Sequence, residues 1–327
     1  MQKAPNIFSM LINLAKAGDI ADIAAIAALY FRRKCYPGTY RPKIVTQEAP
    51  AGGVLHFELP ESPLVSIIIP AHNQWAATRS CLRSLSGSTG TIPCEVILAD
   101  DASTDETSRC ENLVTGIRVV RNRENLGFLR TCNRAALAAS GTYLLLLNND
   151  THVQEGWLKS LLELFERDGD VGLAGPKLVY PDGRLQEAGG IVWNDGSAWN
   201  HGKWDDPDRA QYNYVREADY ISGACILIRK SLWEEIGGFD DRYVPAYCED
   251  ADLAFEVRKR GFRVIYQPQS VVVHFEGASC GTDTNRGIKR YQMINREKFF
   301  KKWESVLSNQ HFSPGQLRFA IKERYGT

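Results

Sequence analysis

The stretch Thr142-Tyr143-Leu144-Leu145-Leu146-Leu147-Asn148-Asn149-Asp150-Thr151 constrains this chain more than any other. An apolar run short enough for one strand has no polar side, so it has to be buried on both faces, as strands are inside a covered parallel sheet. It stops on two amides and a carboxylate. These groups therefore sit at a strand's carboxyl end, where open α/β sheets bind their ligands. The same event occurs earlier, where Cys94-Glu95-Val96-Ile97-Leu98-Ala99 runs into Asp100-Asp101-Ala102-Ser103-Thr104-Asp105. Two strands that deliver acids to one edge are hard to explain as packing, and a hard cation with a diphosphate suits such an edge.

Strand and helix patterns alternate from Leu64 onward. They predict strands at Val65 to Pro70, Glu95 to Ala99, Ile117 to Arg121 and Tyr143 to Asn148. Between them fall helices at about Ala76 to Leu85, from Thr104, and at Phe128 to Ala139. Alternation of this length predicts a mostly parallel sheet covered on both faces, a Rossmann-like three-layer α/β/α fold. After Asp150 the pattern is less regular. It gives a helix (Trp157 to Phe165), a strand (Val171 to Val179), a loop-rich stretch (Ile191 to Tyr214) and a strand at Ala224 to Ile228. A helix from Glu249 to Arg260, short strands at Arg263 to Tyr266 and Val271 to Val273, and a basic aromatic helix from Ile288 to Trp303 follow. Ahead of all this, residues 7 to 33 carry helical apolar spacing broken near Gly18-Asp19, and Pro37 to Pro63 reads as a linker with one alternating strand at Val54 to Leu59.

At 327 residues the chain can bury a large core, and 39 lysines plus arginines balance 39 aspartates plus glutamates. That balance gives no global pull toward nucleic acid or an anionic membrane. Eight cysteines without a CxxC pair read as reduced core residues. The apolar stretch Ile20 to Phe31 follows Lys16 and Asp19, contains Asp22, and shows no cleavage site, so neither a signal peptide nor a membrane span is expected and the cytoplasm is the expected compartment.

Pro70, His72 and Asn73 stand at the tip of the first strand, facing the same edge. In the next turn, a carboxylate of Asp100 or Asp101 can accept the imide N–H of a uracil or thymine, although the turn is also a plausible helix cap. Asn125, Gly127 and Arg130 lie at a loop-to-helix junction suited to phosphate oxygens. Equally, Gly127 is a turn glycine and the arginines a solvated face. Asp150, with Asn149 or Asn148 beside it, is a candidate metal ligand or the start of an Asx turn. Glu249, Asp250 and Asp252 crowd a helix start, where capping accounts for one carboxylate but not three; one of them near an apolar wall has the raised proton affinity of a general base. His274 ends an apolar strand, as a core residue or a ligand. Trp193, in a loop rich in Trp and Tyr, offers a sugar-binding wall or a small core of the loop's own.

Taken in order, Ser66 to Asn73, Asp100 to Asp105, Asn125 to Arg134, Leu147 to Asp150, Gly237-Gly238-Phe239-Asp240, Glu249 to Leu253 and His274 to Gly277 resemble the inverting glycosyltransferases of family 2, which have the GT-A fold. The Asn-Asn-Asp form with His-Phe-Glu-Gly is similar to a bacterial subgroup of rhamnosyltransferases and O-antigen glycosyltransferases. The resemblance implies a nucleotide-sugar donor (UDP- or dTDP-sugar), a divalent cation (Mn²⁺ or Mg²⁺), and a hydroxyl of a glycan or lipid-linked acceptor. It assigns Asp101 with Asp100 to the donor's base, Asp150 and His274 to the metal, Asp250 to the general base with Glu249 beside it, and Gly223 to the acceptor side. Asn149 reads as a nucleotide residue, through a ribose contact or as a neutral metal ligand, and Asp252 as a further candidate sugar contact. Asn148 departs from the family's pattern by replacing the first acid of its Asp-x-Asp motif, which lowers the charge of the metal site by one.

On this basis residues 1–60 form an N-terminal helical segment and linker, and 61–305 the glycosyltransferase domain. Its nucleotide-binding half is 61–150 and its acceptor half 151–285, and 286–327 is a C-terminal helical tail. The terminal helices, with Arg32-Arg33-Lys34 at one end and Lys289 to Lys302 at the other, read as packed appendages or as contacts to the inner face of a membrane or a partner enzyme. Two other functions are weighed. A sugar nucleotidyltransferase would carry a glycine-rich loop after the first strand, which Pro70-Ala71-His72-Asn73-Gln74 lacks. A catalytically inactive sugar-binding or scaffolding module is favoured by Asn148 and opposed by Asp150, Asp250 and His274 together.

Overall fold

A computed structural model describes residues 53–276 and 290–316. The expected helices within residues 7–33, the Gly277 end of the His-Phe-Glu-Gly motif and the chain beyond 316 lie outside the described residues. The chain runs through strands β1 (Leu55–His56), β2 (Val65–Ala71), helix α1 (Trp75–Leu85), β3 (Cys94–Asp100), β4 (Val114–Thr115), β5 (Arg118–Arg121), α2 (Phe128–Ala136), β6 (Tyr143–Leu147) and β7 (Thr151–Val153). It continues through α3 (Trp157–Arg167), β8 (Val171–Val179), β9 (Leu185–Glu187), β10 (Gly190–Val192), β11 (Ala198–Asn200), β12 (Arg216–Glu217) and β13 (Cys225–Arg229). Helices α4 (Lys230–Ile236) and α5 (Glu249–Lys259), strand β14 (Arg263–His274) and helix α6 (Tyr291–Gln310) complete it.

The apolar runs form the centre of a mixed sheet in the order β12-β14-β8-β13-β6-β2-β3-β5. Strands β2, β3, β5 and β6 are parallel, and their register pairs Ala71 with Asp100, Asp100 with Arg121 and Ile68 with Leu146. All four carboxyl ends therefore open on one edge. Pro70 sits inside β2 two residues beyond Ile68, the last to pair with β6, so its missing N–H breaks no ladder bond there. Beyond β6 the expected parallel order gives way to β13, antiparallel to both β6 and β8.

Strand periodicity sorts the core into two layers. Ile68, Ile97, Leu144 and Leu146 pack with α2, α5 and α6 on one face. Ile67, Ile69, Val96, Leu98, Leu145 and Leu147 pack with α1 and α3 on the other. Each fully buried Leu or Ile contributes roughly 1.5–3 kcal/mol.

Three local expectations change. The helix expected from Thr104 is a short 3₁₀ turn from Glu106, where Asp105 Oδ1 accepts the Thr107 amide at 3.0 Å and Oδ2 accepts the Trp75 amide at 2.9 Å at the start of α1. The two short strands after residue 262 are one strand, β14, with an irregularity between Gln267 and Val271. Strand β7, three residues directly after Asp150, pairs antiparallel with the end of β14 and sets Thr151 opposite His274.

Helix α6 is built into the core. Phe299, Trp303 and Leu307 are buried, and Lys302 Nζ pairs with Asp252 at 2.7 Å, Glu256 at 3.0 Å and Asp240 at 3.2 Å. Trp303 Nε1 and the Tyr243 hydroxyl both donate to Asp252 Oδ1, at 2.7 and 2.9 Å. Asn295 Nδ2, fully buried, donates to the carbonyls of Tyr243 and Ala246 at 2.6 and 2.8 Å. Removing one partner of such a buried pair typically costs about 3 kcal/mol. Lys302→Met is therefore expected to lower the urea-unfolding free energy by about that amount, and an unchanged midpoint would show that the pair does not hold α6 to α5.

Candidate active site

At the β2–β3 edge the acids are tied mainly to protein. Asp100 Oδ1 accepts the Ser103 amide at 2.9 Å, and Oδ2 accepts Arg121 Nε at 2.7 Å. Burial pushes this carboxyl up, but the Ser103 and Arg121 bonds outweigh it and hold it below the ordinary carboxylate range. Asp100 is thus a fully buried latch between strands. Asp101 Oδ1 accepts Asn122 Nδ2 and the Leu126 amide, each at 2.8 Å, while Oδ2 accepts the Gly127 amide at 2.9 Å. Asp101 therefore gathers the 122–127 loop and keeps one acceptor position on Oδ2.

Asn73 and His72 sew the two strand tips together. Asn73 Oδ1 accepts the Thr104 amide at 2.8 Å and the Asp105 amide at 3.2 Å, and His72 Nδ1 donates to the Asp101 carbonyl at 2.7 Å. Gly127 has φ +80, and a Cβ there would stand 3.4 Å from the Pro245 carbonyl oxygen, so the loop needs glycine. Asn125 Oδ1 caps the Gly127 amide at 3.1 Å. Arg130, expected at phosphate, instead pairs with Asp241 at 3.1 Å on the surface, where both side chains are exposed.

The second edge forms where β7 turns back onto β14. Asp150 Oδ1 lies 3.2 Å from His274 Nε2, and the Phe275 amide donates to the Asp150 carbonyl at 3.0 Å. His274 Nδ1 faces Gln186 Oε1 at 3.2 Å, and Gln186 Nε2 donates to Glu276 Oε2 at 3.2 Å. A carboxylate only accepts, so Glu276 fixes the amide of Gln186, and Gln186 in turn fixes a donor at His274 Nδ1. Burial raises the Glu276 carboxyl, but Lys203 and hydrogen bonds from Tyr180 and Gln186 outweigh it and keep the group ionised.

In the neutral ring, His274 Nε2 then faces Asp150 lone pair to lone pair, an arrangement that a proton or a cation between them satisfies. Cis ligands about 2.1 Å from an octahedral ion lie about 3 Å apart, so the observed separation fits a cation that keeps water or phosphate in its other positions. Among the described residues no group of three or more His, Cys, Asp or Glu side chains converges on a metal position, so a cation between Asp150 and His274 would need its other ligands from water or substrate. Asn149, beside them, is anchored through Nδ2 to Thr78 Oγ1 at 2.9 Å.

The third group is the start of α5. Tyr247 and Cys248 both have left-handed backbones, with φ 78 and 71, a costly pair for non-glycine residues that delivers Glu249 and Asp250 to the helix's first turn. Asp250 Oδ2 accepts the Gly223 amide at 3.0 Å and Oδ1 accepts the Ala251 amide at 2.8 Å. Burial raises the proton affinity of Asp250 above that of an ordinary aspartate. Burial, with the Asp250 charge beside it, pushes Glu249 up to about 8. The next amide along, Ala224, returns its carbonyl to the Asn148 amide at 2.9 Å, so Asp250 and the Asn148–Asp150 turn are fastened to successive residues ahead of β13.

Two expected sugar contacts lie elsewhere. Asp252 is 2% exposed and is committed to Lys302, Trp303 and Tyr243, because two residues along the first turn of α5 from Asp250 the side chain points into the core rather than the edge. Trp193 is 1% exposed and packs edge-to-face on Trp199 at 5.6 Å, forming the inside of the β10–β11 hairpin instead of a wall. The exposed aromatic of that region is Trp204. Gln186 and Glu187 were missed by sequence reasoning; their signal was two polar residues between Leu185 and Ala188 in a segment closed by Gly189-Gly190.

The family model "Glycosyl transferase family 2" matches residues 66–237. The O-antigen biosynthesis protein RfbC of Myxococcus xanthus is 32% identical over 73% of this chain and 19% of its own length. An N-acetylglucosaminyl-diphospho-decaprenol L-rhamnosyltransferase of Mycobacterium tuberculosis is 30% identical over 58% of this chain and 69% of its own. The chain spans a quarter or less of the length of two curated relatives, RfbC and an uncharacterized protein of Sinorhizobium fredii. Among solved structures, the mannosyltransferase PcManGT of Pyrobaculum calidifontis, with GDP-Man and Mn²⁺, superposes with TM-score 0.55 at 18% identity over 96% of this chain and 81% of its own. GalNAc-T7 with UDP, GalNAc and Mn²⁺ gives 0.55 at 16% identity over 80% and 58%. These two share the GT-A fold with the chain, and the match over residues 66–237 makes it a member of glycosyl transferase family 2.

Proposed function

We propose that this chain transfers a sugar, with inversion, from a UDP- or dTDP-sugar to a hydroxyl of a glycan or lipid-linked acceptor in bacterial surface polysaccharide synthesis. The observation that carries the reading is the Asp150–His274 pair, two metal-ligand atoms 3.2 Å apart with the histidine's other nitrogen fixed by Gln186. A divalent cation held there supplies neutralisation of the departing diphosphate. Asp101 Oδ2 keeps an acceptor position suited to the imide N–H of the donor's base, and Asp100 and Asn73 hold the turn in which it stands.

Asp250 takes the proton of the acceptor hydroxyl. Its two amide bonds aim the carboxylate, and its raised proton affinity makes it a better base than a solvated aspartate. Direct displacement leaves no covalent intermediate on the protein, so no nucleophilic side chain is needed. The relationship to RfbC and the decaprenol-linked rhamnosyltransferase supports a glycan or lipid-linked acceptor. No helix among the described residues is long and apolar enough to cross a membrane.

Three measurements check this. UDP or dTDP is expected to raise the melting temperature only with Mn²⁺ or Mg²⁺, and Asp150→Ala to abolish the metal-dependent part; equal shifts without metal would overturn the cation's role. Glu276→Gln frees the Gln186 amide to flip, so the apparent Mn²⁺ affinity is expected to fall about tenfold with the nucleotide shift restored at high metal. Asp250→Asn is expected to lower turnover by about 10² to 10⁴ while sparing nucleotide binding; loss of both together would remove Asp250 as the base.

A further inference from the structure

Strand β9 is buried at every position, and its last residue, Glu187, is 1% exposed. A carboxyl taken so completely out of water needs partners for both oxygens. Glu187 has one. Oε1 accepts the Ser222 amide at 3.0 Å, while Oε2 is buried without a hydrogen-bond partner. The very next amide, Gly223, donates to Asp250 Oδ2 at 3.0 Å. Successive amides of one turn thus hold Glu187 and Asp250 side by side. A Cβ at Gly223 would stand in ordinary van der Waals contact with Asp250 Cβ and the Phe128 ring, at 3.8 Å, so Phe128 walls the same turn.

Charge around Glu187 points to the same place. Burial pushes its carboxyl up to about 8, against the Ser222 amide; the charges of Asp250 and Glu276 add to the rise and that of Lys203 opposes it. At neutral pH the group is therefore mostly a neutral acid, able both to donate and to accept. It does not pair with Lys203, whose Nζ lies 3.5 Å from Glu276 Oε2. Glu187 is no part of the metal pair, the nucleotide turn or the helix cap, and packing alone gives no reason to place a polar oxygen there.

We propose that Glu187 is a substrate-binding residue whose Oε2 hydrogen-bonds a hydroxyl of the acceptor sugar next to the hydroxyl that Asp250 deprotonates. This role rests on the transfer activity proposed above. The ligand chemistry is a sugar hydroxyl, and both donor and acceptor carry such groups. Its place beside the base, held by the same turn, selects the acceptor. A hydroxyl pinned at Oε2 would fix which of the acceptor's hydroxyls reaches Asp250, making Glu187 a determinant of linkage.

The test uses the full chain with Mn²⁺, the nucleotide sugar it hydrolyses fastest, and methyl glycosides of glucose, galactose, mannose, N-acetylglucosamine and rhamnose as acceptors. Glu187→Ala is expected to raise the acceptor KM about tenfold, the worth of one hydrogen bond. Donor hydrolysis, in which water replaces the acceptor, is expected to stay within about twofold, because none of the donor's contacts is removed. Glu187→Gln, which keeps shape and donor capacity, is expected to recover most of the loss. Should Glu187→Ala fold poorly, monodeoxy glycosides make the same comparison against Glu187→Gln: one deoxy position is expected to weaken the wild type about tenfold and the variant less. An unchanged acceptor KM in both variants, or hydrolysis falling in step with transfer, would overturn the assignment. A wild type that neither binds nucleotide nor hydrolyses any donor would instead overturn the transfer activity, and this is visible before any variant is made.

Discussion

Everything at this site depends on the parallel, in-register alignment of β2, β3, β5 and β6. The side chains of β2, β3 and β6 are mainly apolar on both faces, so these strands cannot slip without exposing one layer or burying polar ends. Fixed that way, the polar residues that follow each strand have one place to go. Ala71, Asp100, Arg121 and Leu147 end at nearly one level, and the turns after them bind one another before they bind anything else. His72, Asn73, Asp100 and Asp101 spend most of their hydrogen-bonding capacity on this edge. Their chemistry is positional, since a donor base can be read by one lone pair only if the turn carrying it does not move.

The acceptor side is held differently. There the chain departs from the parallel pattern, and antiparallel β13 brings Ser222, Gly223 and Ala224 up to the end of β6. These residues give their amides to Glu187 and Asp250 and a carbonyl to Asn148. The helix that carries Asp250 starts from two left-handed residues, which cost of order 1–3 kcal/mol each. Helix α6 offsets that strain. Asn295 clamps the carbonyls just before it, and the Asp252–Lys302 pair anchors the first turn just after. A helix distant in sequence thus holds the start of α5, where the proposed base Asp250 stands.

The fold was largely legible because its signals are local. Leu144 to Leu147 and Val171 to Val179 have lengths and compositions that specify strands, and Asp100, Asp101 and Asp150 announce where those strands end. What escaped were pairings between distant, short segments. Strand β7 is three residues long, so no periodicity can reveal it, yet it is what brings Asp150 to His274. Trp193 and Asp252 carried the right chemistry on the wrong face: the hairpin turns Trp193 inward, and the pitch of α5 turns Asp252 away from Asp250 toward Lys302. Arg130 was read as a phosphate ligand because sequence cannot show the Asp241 carboxylate across from it.

Satisfaction of hydrogen bonds separates the acids more sharply than their motifs do. Asp100 has a donor on each oxygen and sits below the usual carboxylate range, as a group finished by the protein would. Glu187 and Glu249 are as deeply buried, but each leaves one oxygen without a partner, and both are pushed up to about 8. A buried polar atom without a partner costs roughly 1–3 kcal/mol, and native structures keep few of them. Two such oxygens here flank Asp250, one from the neighbouring residue and one from β9. Asp100 and Asp101 are thus bonded well enough to fix a turn, whereas Glu187 and Glu249 each leave an oxygen beside the proposed base, and a sugar hydroxyl placed there would supply the missing partner.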